Sequence, residues 1–386
     1  MVEQAQDFFR ESFYNDPAVV AYAPGRIEFV GNHTDYNGGK VLGIAIQQGI
    51  YCALSYRNDR KVLGVSLDGE PTFTSSLDDL ETLSEDGHWS RYPLGVVWAI
   101  QKKGIKLERG FNLAIFSNLP MGAGLSSSAA LELSIAYAVL ADEKHGFSKK
   151  DLVKICMYAE NNYVGVPCGI LDQGVSGFGR EDQLVYIDCK TESFSNVGIP
   201  QGTHFWIFNS NTQHSLTDSL YSERFSECAE GLKVAEGFRP GIECLADFPL
   251  SKLDSLADHL SRKIYKRVKH VLYENQRVND VARHLLSDSV DLRTIGNFLY
   301  DSHESSRNLF DNSTKELDFL VSHLREIKSV YGARLTGGGF GGAVMAWTSI
   351  DFKKSDAAII SKLYEAAFDH PPRILHCKSG DGVHLI

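Results

Sequence analysis

Two mixed α+β domains facing each other across a cleft are what this chain of 386 residues implies. Three observations carry that expectation. The length is too great for one small core and fits two domains of ordinary size. Strand-like patterns dominate the first half and helical patterns the second, with the change near residue 200. The last stretch then returns to strands, so both halves mix the two element types. The division falls at 1–200 and 201–386.

The elements follow in order. Residues 41–56 and 61–67 place Val, Ile and Leu at short spacing, as strands do. Phe111–Phe116 reads as a strand as well. From Ser126 to Leu140 the positions Leu131, Leu133, Ala136, Val139 and Leu140 follow helical spacing. A helix follows Ser148, which can cap it together with Asp151, and its apolar stripe is Leu152, Ile155, Cys156 and Ala159. Ile264, Val268, Val271, Leu272, Val278, Val281 and Leu285 trace one long amphipathic helix. A capping box of Ser313 with Glu316 opens another over Leu317, Leu320, Val321 and Leu324. Strands return at Ala333–Thr336, Ala343–Trp347 and Arg373–His376.

Composition narrows the function. Hydrophobic residues make up 43% and charged residues 23%, the balance of a soluble globular protein and not of a disordered one. No stretch reaches the roughly 18 apolar residues of a membrane helix. Residues 1–17 lack an export signal. Seven scattered cysteines without a Cys-x-x-Cys support neither a disulfide framework nor a zinc site and point to a reducing cytoplasm. With 39 basic and 49 acidic residues the net charge is −10, which argues against a nucleic-acid partner. A cytoplasmic enzyme without membrane partners, monomeric or weakly self-associating, is expected.

The segment Asn118 to Ala130 follows a strand and opens into a helix. Glycines let the backbone approach an anion, successive N–H groups point inward, and the helix N-terminus adds its positive dipole end. Three serines supply hydroxyls for phosphate oxygens or for a magnesium ion. The same residues also read as a Gly/Ser turn that merely caps a helix. A Walker A loop is excluded, because no Lys follows the glycines. Gly337 to Gly342 contains a formal G-x-G-x-x-G, but Ala343–Trp347 reads as a strand where a dinucleotide site needs a helix. The basic run Lys263, Lys266, Arg267, Lys269 and His270 reads as a solvated helix face.

Pro24 to Gly39 packs polar residues into one strand-to-turn passage. On a strand, Arg26, Glu28, Val30 and Asn32 share a face, and the turn projects His33 and Asp35. Such neighbouring carboxylates and amides suit a polyhydroxyl ligand, whose hydroxyls both donate and accept. A turn held by Asx hydrogen bonds fits the spacing equally. Pro167 to Gly174 sets Asp172 in an apolar, Gly-flanked neighbourhood where a carboxylate is costly unless paired, and Glu160 lies on the preceding helix. Either acid could also be a cap or a surface charge.

These three clusters, in this order, resemble the GHMP family of small-molecule kinases and, within it, the galactokinase-like sugar 1-kinases. Ala23 to Asn37 is similar to the sugar signature, Leu119 to Ala130 to the ATP motif, and Leu335 to Gly342 to the third motif. Lesser matches are Trp89, Tyr92 and Gly95; His214 to Leu216; Tyr221, Arg224 and Cys228; Ser302 and His303; and Glu316 to Asp318. The resemblance implies a two-domain GHMP fold with its active site in the cleft, and transfer of the ATP γ-phosphoryl to the anomeric hydroxyl of a sugar. It implies Asp172 as general base with Arg26 as the cation that keeps it ionised. Ser128 and Glu160 match the Mg²⁺ ligands, oxygen donors suited to that hard ion. Pro120, Gly122, Ala123, Gly124, Leu125, Ser126, Ser127 and Ser128 would wrap the triphosphate, with Trp89 near the adenine. Asn32, His33, Asp35, Gly169, Tyr221 and Gly338 match positions around the sugar.

Two positions depart from the pattern. The family usually carries Glu where this chain has Asn32, and Asn where it has Glu28. The family's Glu lies near the C6 hydroxyl of the sugar, and an amide there would not repel a C6 carboxylate. A hexuronic acid therefore stands as the second substrate reading after galactose, weakened if Glu28 reaches the same pocket. A sugar sensor that lost the chemistry is a further alternative, but the serine run is complete and both Glu160 and Asp172 are present. A mevalonate-type or amino-acid acceptor conflicts with the cluster Gly31 to Asn37.

Overall fold

The computed structural model describes all residues except 68, 71, 83–87, 121–123, 143–145 and 214–216. The first half holds α1 (Val2–Phe13), β1 (Val19–Val30), β2 (Lys40–Tyr56), β3 (Lys61–Ser66), β4 (Phe73–Ser76), α2 (Arg91–Lys102), β5 (Phe111–Ser117), α3 (Ser127–Val139), α4 (Lys149–Ala159), α5 (Leu171–Phe178), β6 (Gln183–Asp188) and β7 (Ser193–Gly198). The second holds β8 (Thr203–Gln213), α6 (Thr217–Phe238), α7 (Arg262–Leu285), α8 (Leu292–Ser305), α9 (Lys315–Arg325), β9 (Val330–Thr336), β10 (Gly341–Ser349), α10 (Lys354–Phe368), β11 (Arg373–Cys377) and β12 (His384–Leu385).

Two sheets organise these elements. The first runs β12-β1-β2-β5-β3-β4, with β6 and β7 attached to β2; the second runs β11-β8-β10-β9. Among the described pairings only β3 with β5 is parallel. β2 is long because it serves two neighbours, β6 along Lys40–Gly43 and β5 along Ile50–Tyr56. β1 is almost wholly buried, as a strand covered on both faces must be, and register shifts after Pro24 and Glu28 interrupt its pairing with β2. Such irregularities re-aim side chains, and here they flank Arg26 and Glu28. α3 lies against β1 and β2; its small buried residues Ala129, Ala130 and Ala136 permit that approach.

The chain passes from the first sheet to the second between Gly198 and Thr203, and returns after Cys377 so that β12 pairs with β1. A cavity of about 600 Å³ lies at these crossings, walled by residues of both, among them Gly202, His204, His376 and Ser379.

Of the two caps expected from the sequence, one forms and one is replaced. Ser148 and Asp151 form a capping box. At α9 the expected box of Ser313 with Glu316 is replaced. Thr314 caps the helix by accepting from Leu317, which moves Glu316 out of the third position, while the Ser313 hydroxyl donates to Asp318 at 2.6 Å. The basic run on α7 also differs from expectation. Lys263 is exposed, but Arg267 and His270 are buried. Arg267 donates to Glu227 at 2.7 Å and to the Leu309 carbonyl, a pairing between helices that periodicity cannot reveal. After the glycine run Gly337–Gly339 comes a strand, β10, as expected.

Candidate active site

Arg26 joins the loop before α3 to the start of α5. Its backbone N–H donates to the Leu125 carbonyl at 3.0 Å and Nη1 donates to the Gly124 carbonyl at 2.6 Å. Nε and Nη2 both donate to Asp172 Oδ1, at 2.9 and 2.7 Å. Such a forked contact fixes the carboxylate's orientation as well as its partner. The other carboxylate oxygen, Oδ2, accepts from the Ser126 hydroxyl. Ser126 caps α3 in a left-handed conformation, φ 55°, which turns its hydroxyl toward α5 and away from the helix's own N–H groups. The serine-rich cradle and Asp172 thus lie on one side of the molecule.

Ser128 lies near enough to Glu160 to act on its carboxyl, holding its pKa down. Glu160 sits at the head of a π-helical turn, Glu160–Val164, a feature common where a helix is adapted to a function. Its Oε2 accepts from Gln173 at 2.6 Å, and the same amide donates to Glu132 at 3.0 Å. Burial, then the Asp172 charge, raises the Glu160 pKa. Glu132, fully buried, is raised well above the carboxylate range, first by burial and next by Glu160. Three acids are therefore gathered beside the loop, with Arg26 as the cation bonded to one of them.

Ser127 and Ser128 also line a pocket of about 190 Å³ with Trp89, Tyr92, Ser117 and Leu119. Phe73 meets the Trp89 ring edge-on at 5.0 Å. Pro120 is buried and Gly124 exposed at the ends of the loop; Gly122 and Ala123, and the segment His214 to Leu216, lie outside the described residues.

A second pocket, on the other side of Asp172, is lined by Arg26, Glu28, Asn32, His33, Asp35, Cys168, Gly169, Leu171, Asp172, Tyr221, Gly337 and Gly338. It shares no described lining residue with the larger cavity at the crossings. Gly169 is required by close approach, since a Cβ there would stand 2.2 Å from Asp35 Oδ2. His33 contributes shape and not a free nitrogen. Its Nε2 lies 2.9 Å from the Gly338 carbonyl, which only accepts, so Nε2 carries the hydrogen and Nδ1 accepts from the Tyr36 hydroxyl at 2.9 Å. Burial lowers the His33 pKa to about 3, so the ring is neutral.

Asn32 is likewise committed to the protein. Its Nδ2 donates to the Gly337 carbonyl at 2.8 Å and to Glu28 Oε2 at 3.3 Å. Its Oδ1 accepts from Asn312 at 2.9 Å and from Ser306 at 3.2 Å. An amide has about four such positions, and all are filled. Glu28, also on this wall, pairs with the fully buried Arg334 at 3.0 Å and accepts from the Gly337 N–H at 3.2 Å.

Sequence reasoning missed Gln173, Glu132, Arg334 and Asn312. Glu132 did carry a signal, four residues after Ser128 and hence on the same helical face. The other three are brought in by tertiary packing.

Comparison with known proteins gives the lineage. The galactokinase galactose-binding signature matches residues 7–56, the GHMP kinase N-terminal domain residues 91–180, and the GHMP kinase C-terminal domain residues 286–369. A galactokinase of Clostridium acetobutylicum is 34% identical over 388 aligned residues, covering 100% of this chain and 98% of the relative. The chain belongs to the galactokinase family. A galactokinase of Staphylococcus carnosus is 33% identical, with all of both chains covered. The crystal structure of Lactococcus lactis galactokinase complexed with galactose superposes with a TM-score of 0.94 at 30% identity, covering 99% of each chain. A Methanococcus jannaschii mevalonate kinase, 17% identical, shares the fold with a TM-score of 0.65. Galactokinase-family membership makes this chain an ATP-using phosphotransferase with an alcohol group as acceptor. Among the described residues no helix is long and apolar enough to cross a membrane.

In this galactokinase-family pocket Asp35 is the group most open to pH. Burial, then the nearby Asp172 charge, pushes its pKa up to about 7. A carboxyl raised on folding holds its proton more tightly in the folded chain than in the unfolded one. Its stabilising contribution is complete below pH ~4 and is lost as pH rises toward 7. Asp35→Asn stays neutral throughout, so its melting temperature relative to wild type should climb between pH 4 and 8. The gain should be about 1–2 kcal/mol, reduced from the full linkage value because Asp35 keeps some surface on the pocket. A flat difference in calorimetric scans across that range would refute the assignment.

Proposed function

We propose that this chain transfers the γ-phosphoryl group of ATP to the anomeric hydroxyl of galactose. The observation that carries the reading is the position of Asp172, bonded to Arg26 and Ser126 between the serine-rich loop and the Asp35 pocket. Galactokinase relatives along the whole chain support the same acceptor. The division into bodies 1–200 and 201–386 is supported by the change of sheet after Gly198, with β12 returning to the first.

Asp172 accepts the proton of the sugar hydroxyl, and Arg26 orients its carboxylate while presenting positive charge toward the loop. Backbone N–H groups from Gly124 onward and the α3 N-terminus face the phosphates. Asp35, with Gly169 and Tyr221, holds the ring hydroxyls; His33 and Asn32 shape the wall through Gly337 and Gly338. The nucleotide base rests in the Trp89 pocket. Ser128 and Glu160 would hold Mg²⁺. Hard oxygen donors near one another fit that ion, and so does the gathering of the Glu160, Glu132 and Asp172 carboxyl groups beside the loop. Among the described residues no three His, Cys, Asp or Glu side chains converge on one metal position. When bound, the ion neutralises charge on the transferring phosphoryl group.

The pocket favours a neutral sugar over a uronate. Arg26 and Arg334 are paired to Asp172 and Glu28, and Glu28 faces the same pocket as Asn32. ADP release with Mg-ATP and a panel of hexoses, pentoses, amino sugars and hexuronic acids tests the reading. Galactose should have the highest kcat/KM; a hexuronic acid outrunning it would overturn the assignment.

A further inference from the structure

Helix α7 grips the main chain of the turn that carries His33 and Asp35. Glu274, fully buried, accepts from the N–H groups of Gly31 and Asn32, both at 3.1 Å. One turn earlier, His270 Nε2 lies 3.0 Å from the Asn32 carbonyl oxygen. Because a carbonyl only accepts, Nε2 is the donor and Nδ1 accepts from the Ser305 hydroxyl at 2.8 Å. Next along the helix, Asn275 accepts from the Lys40 N–H at 2.9 Å. His270 and Glu274 are four residues apart and share a face, so together they hold the Asn32 residue by both its N–H and its C=O.

The turn needs outside support. Gly31 has φ +116°, and a Cβ there would stand 2.8 Å from the Val41 Cα; His33, which is not glycine, has φ +58°. Left-handed backbone at a non-glycine residue is strained and persists where surroundings impose it. Glu274 is itself fixed, accepting from Ser302 at 2.6 Å and paired with Arg277. Neither His270 nor Glu274 is among the residues lining the sugar pocket.

We propose that His270 and Glu274 form a positioning clamp that sets Asp35 and His33 in register with Asp172. The clamp rests on the sugar-kinase reading above. It gives the helix-rich half, which supplies only Tyr221, Gly337 and Gly338 to the pocket lining, a part in placing the acceptor.

Calorimetric titration with D-galactose and separately with Mg-ADP tests it on the full chain. Glu274→Gln and His270→Leu should each weaken galactose binding tenfold or more, with Mg-ADP affinity kept within threefold. His270→Gln, whose amide can still donate to the Asn32 carbonyl, should recover most of the loss seen in His270→Leu. If His270→Leu does not fold, Glu274→Gln and His270→Gln carry the comparison. Unchanged galactose affinity in the variants would overturn the clamp. So would parallel losses of galactose and ADP without recovery by Gln. Failure of wild type to bind galactose would overturn the substrate reading instead, and the clamp with it.

Discussion

Asp172→Asn should lose about 10²–10⁴-fold in turnover, the contribution of a positioned general base, while ATP still binds. The substitution is well suited to separating chemistry from architecture. An Asn oxygen at the Oδ1 position can keep accepting from Arg26, and the Ser126 hydroxyl can reverse and accept from the new amide. What disappears is the ability to take a proton. Arg26 is left without its anion, at a cost of about 1–3 kcal/mol in stability, softened by its remaining bond to the Gly124 carbonyl. Coupled ADP assays and nucleotide titration of the same preparation read both halves. Activity within tenfold of wild type would remove Asp172 from its role and leave alignment by the loop to explain catalysis.

The second large effect concerns Asn32 and Glu28. Asn32→Glu alone should reduce kcat/KM for galactose by a hundredfold or more. A carboxylate there would face Glu28 Oε2, now 3.3 Å from the amide nitrogen, and the Gly337 carbonyl at 2.8 Å. Two anions and a carbonyl dipole would crowd one dry spot, where an uncompensated charge costs about 3–5 kcal/mol. The double variant Glu28→Asn/Asn32→Glu should recover most of that loss. Its carboxylate would keep the Asn312 amide and Ser306 hydroxyl as donors, and an Asn at position 28 could still accept from Arg334. The single substitution therefore does not report on the sugar alone. A double variant no better than the single would show that the two positions are not coupled as the hydrogen bonds indicate.

Much of this was legible in the order of residues. Strands and helices followed from periodicity; the loop before α3, Asp172 and the Asp35 turn each kept a purely structural reading on spacing alone and stood out through their ordered resemblance to a kinase family. Legibility ended where a side chain's partner came from a distant element. Arg267 and His270 read as surface charge because nothing local distinguishes a helical Arg paired to Glu227 from one in water. Asn32 and His33 line the pocket, but a sequence cannot show that Asn312, Ser306, Tyr36 and Gly338 bond to their polar atoms. Ser126, placed among phosphate ligands by its neighbours, turns to Asp172 through a left-handed residue that only the backbone reveals.

The two crossings between the halves run beside one cavity. Away from those crossings the halves share one hydrophobic core, in which Phe205, Val278 and Trp347 pack with Ile27 and Phe29, and Arg334 is bonded to Glu28. Halves built on one core keep their shape only together, so the groups that meet the nucleotide and those that meet the sugar draw on a single folding free energy.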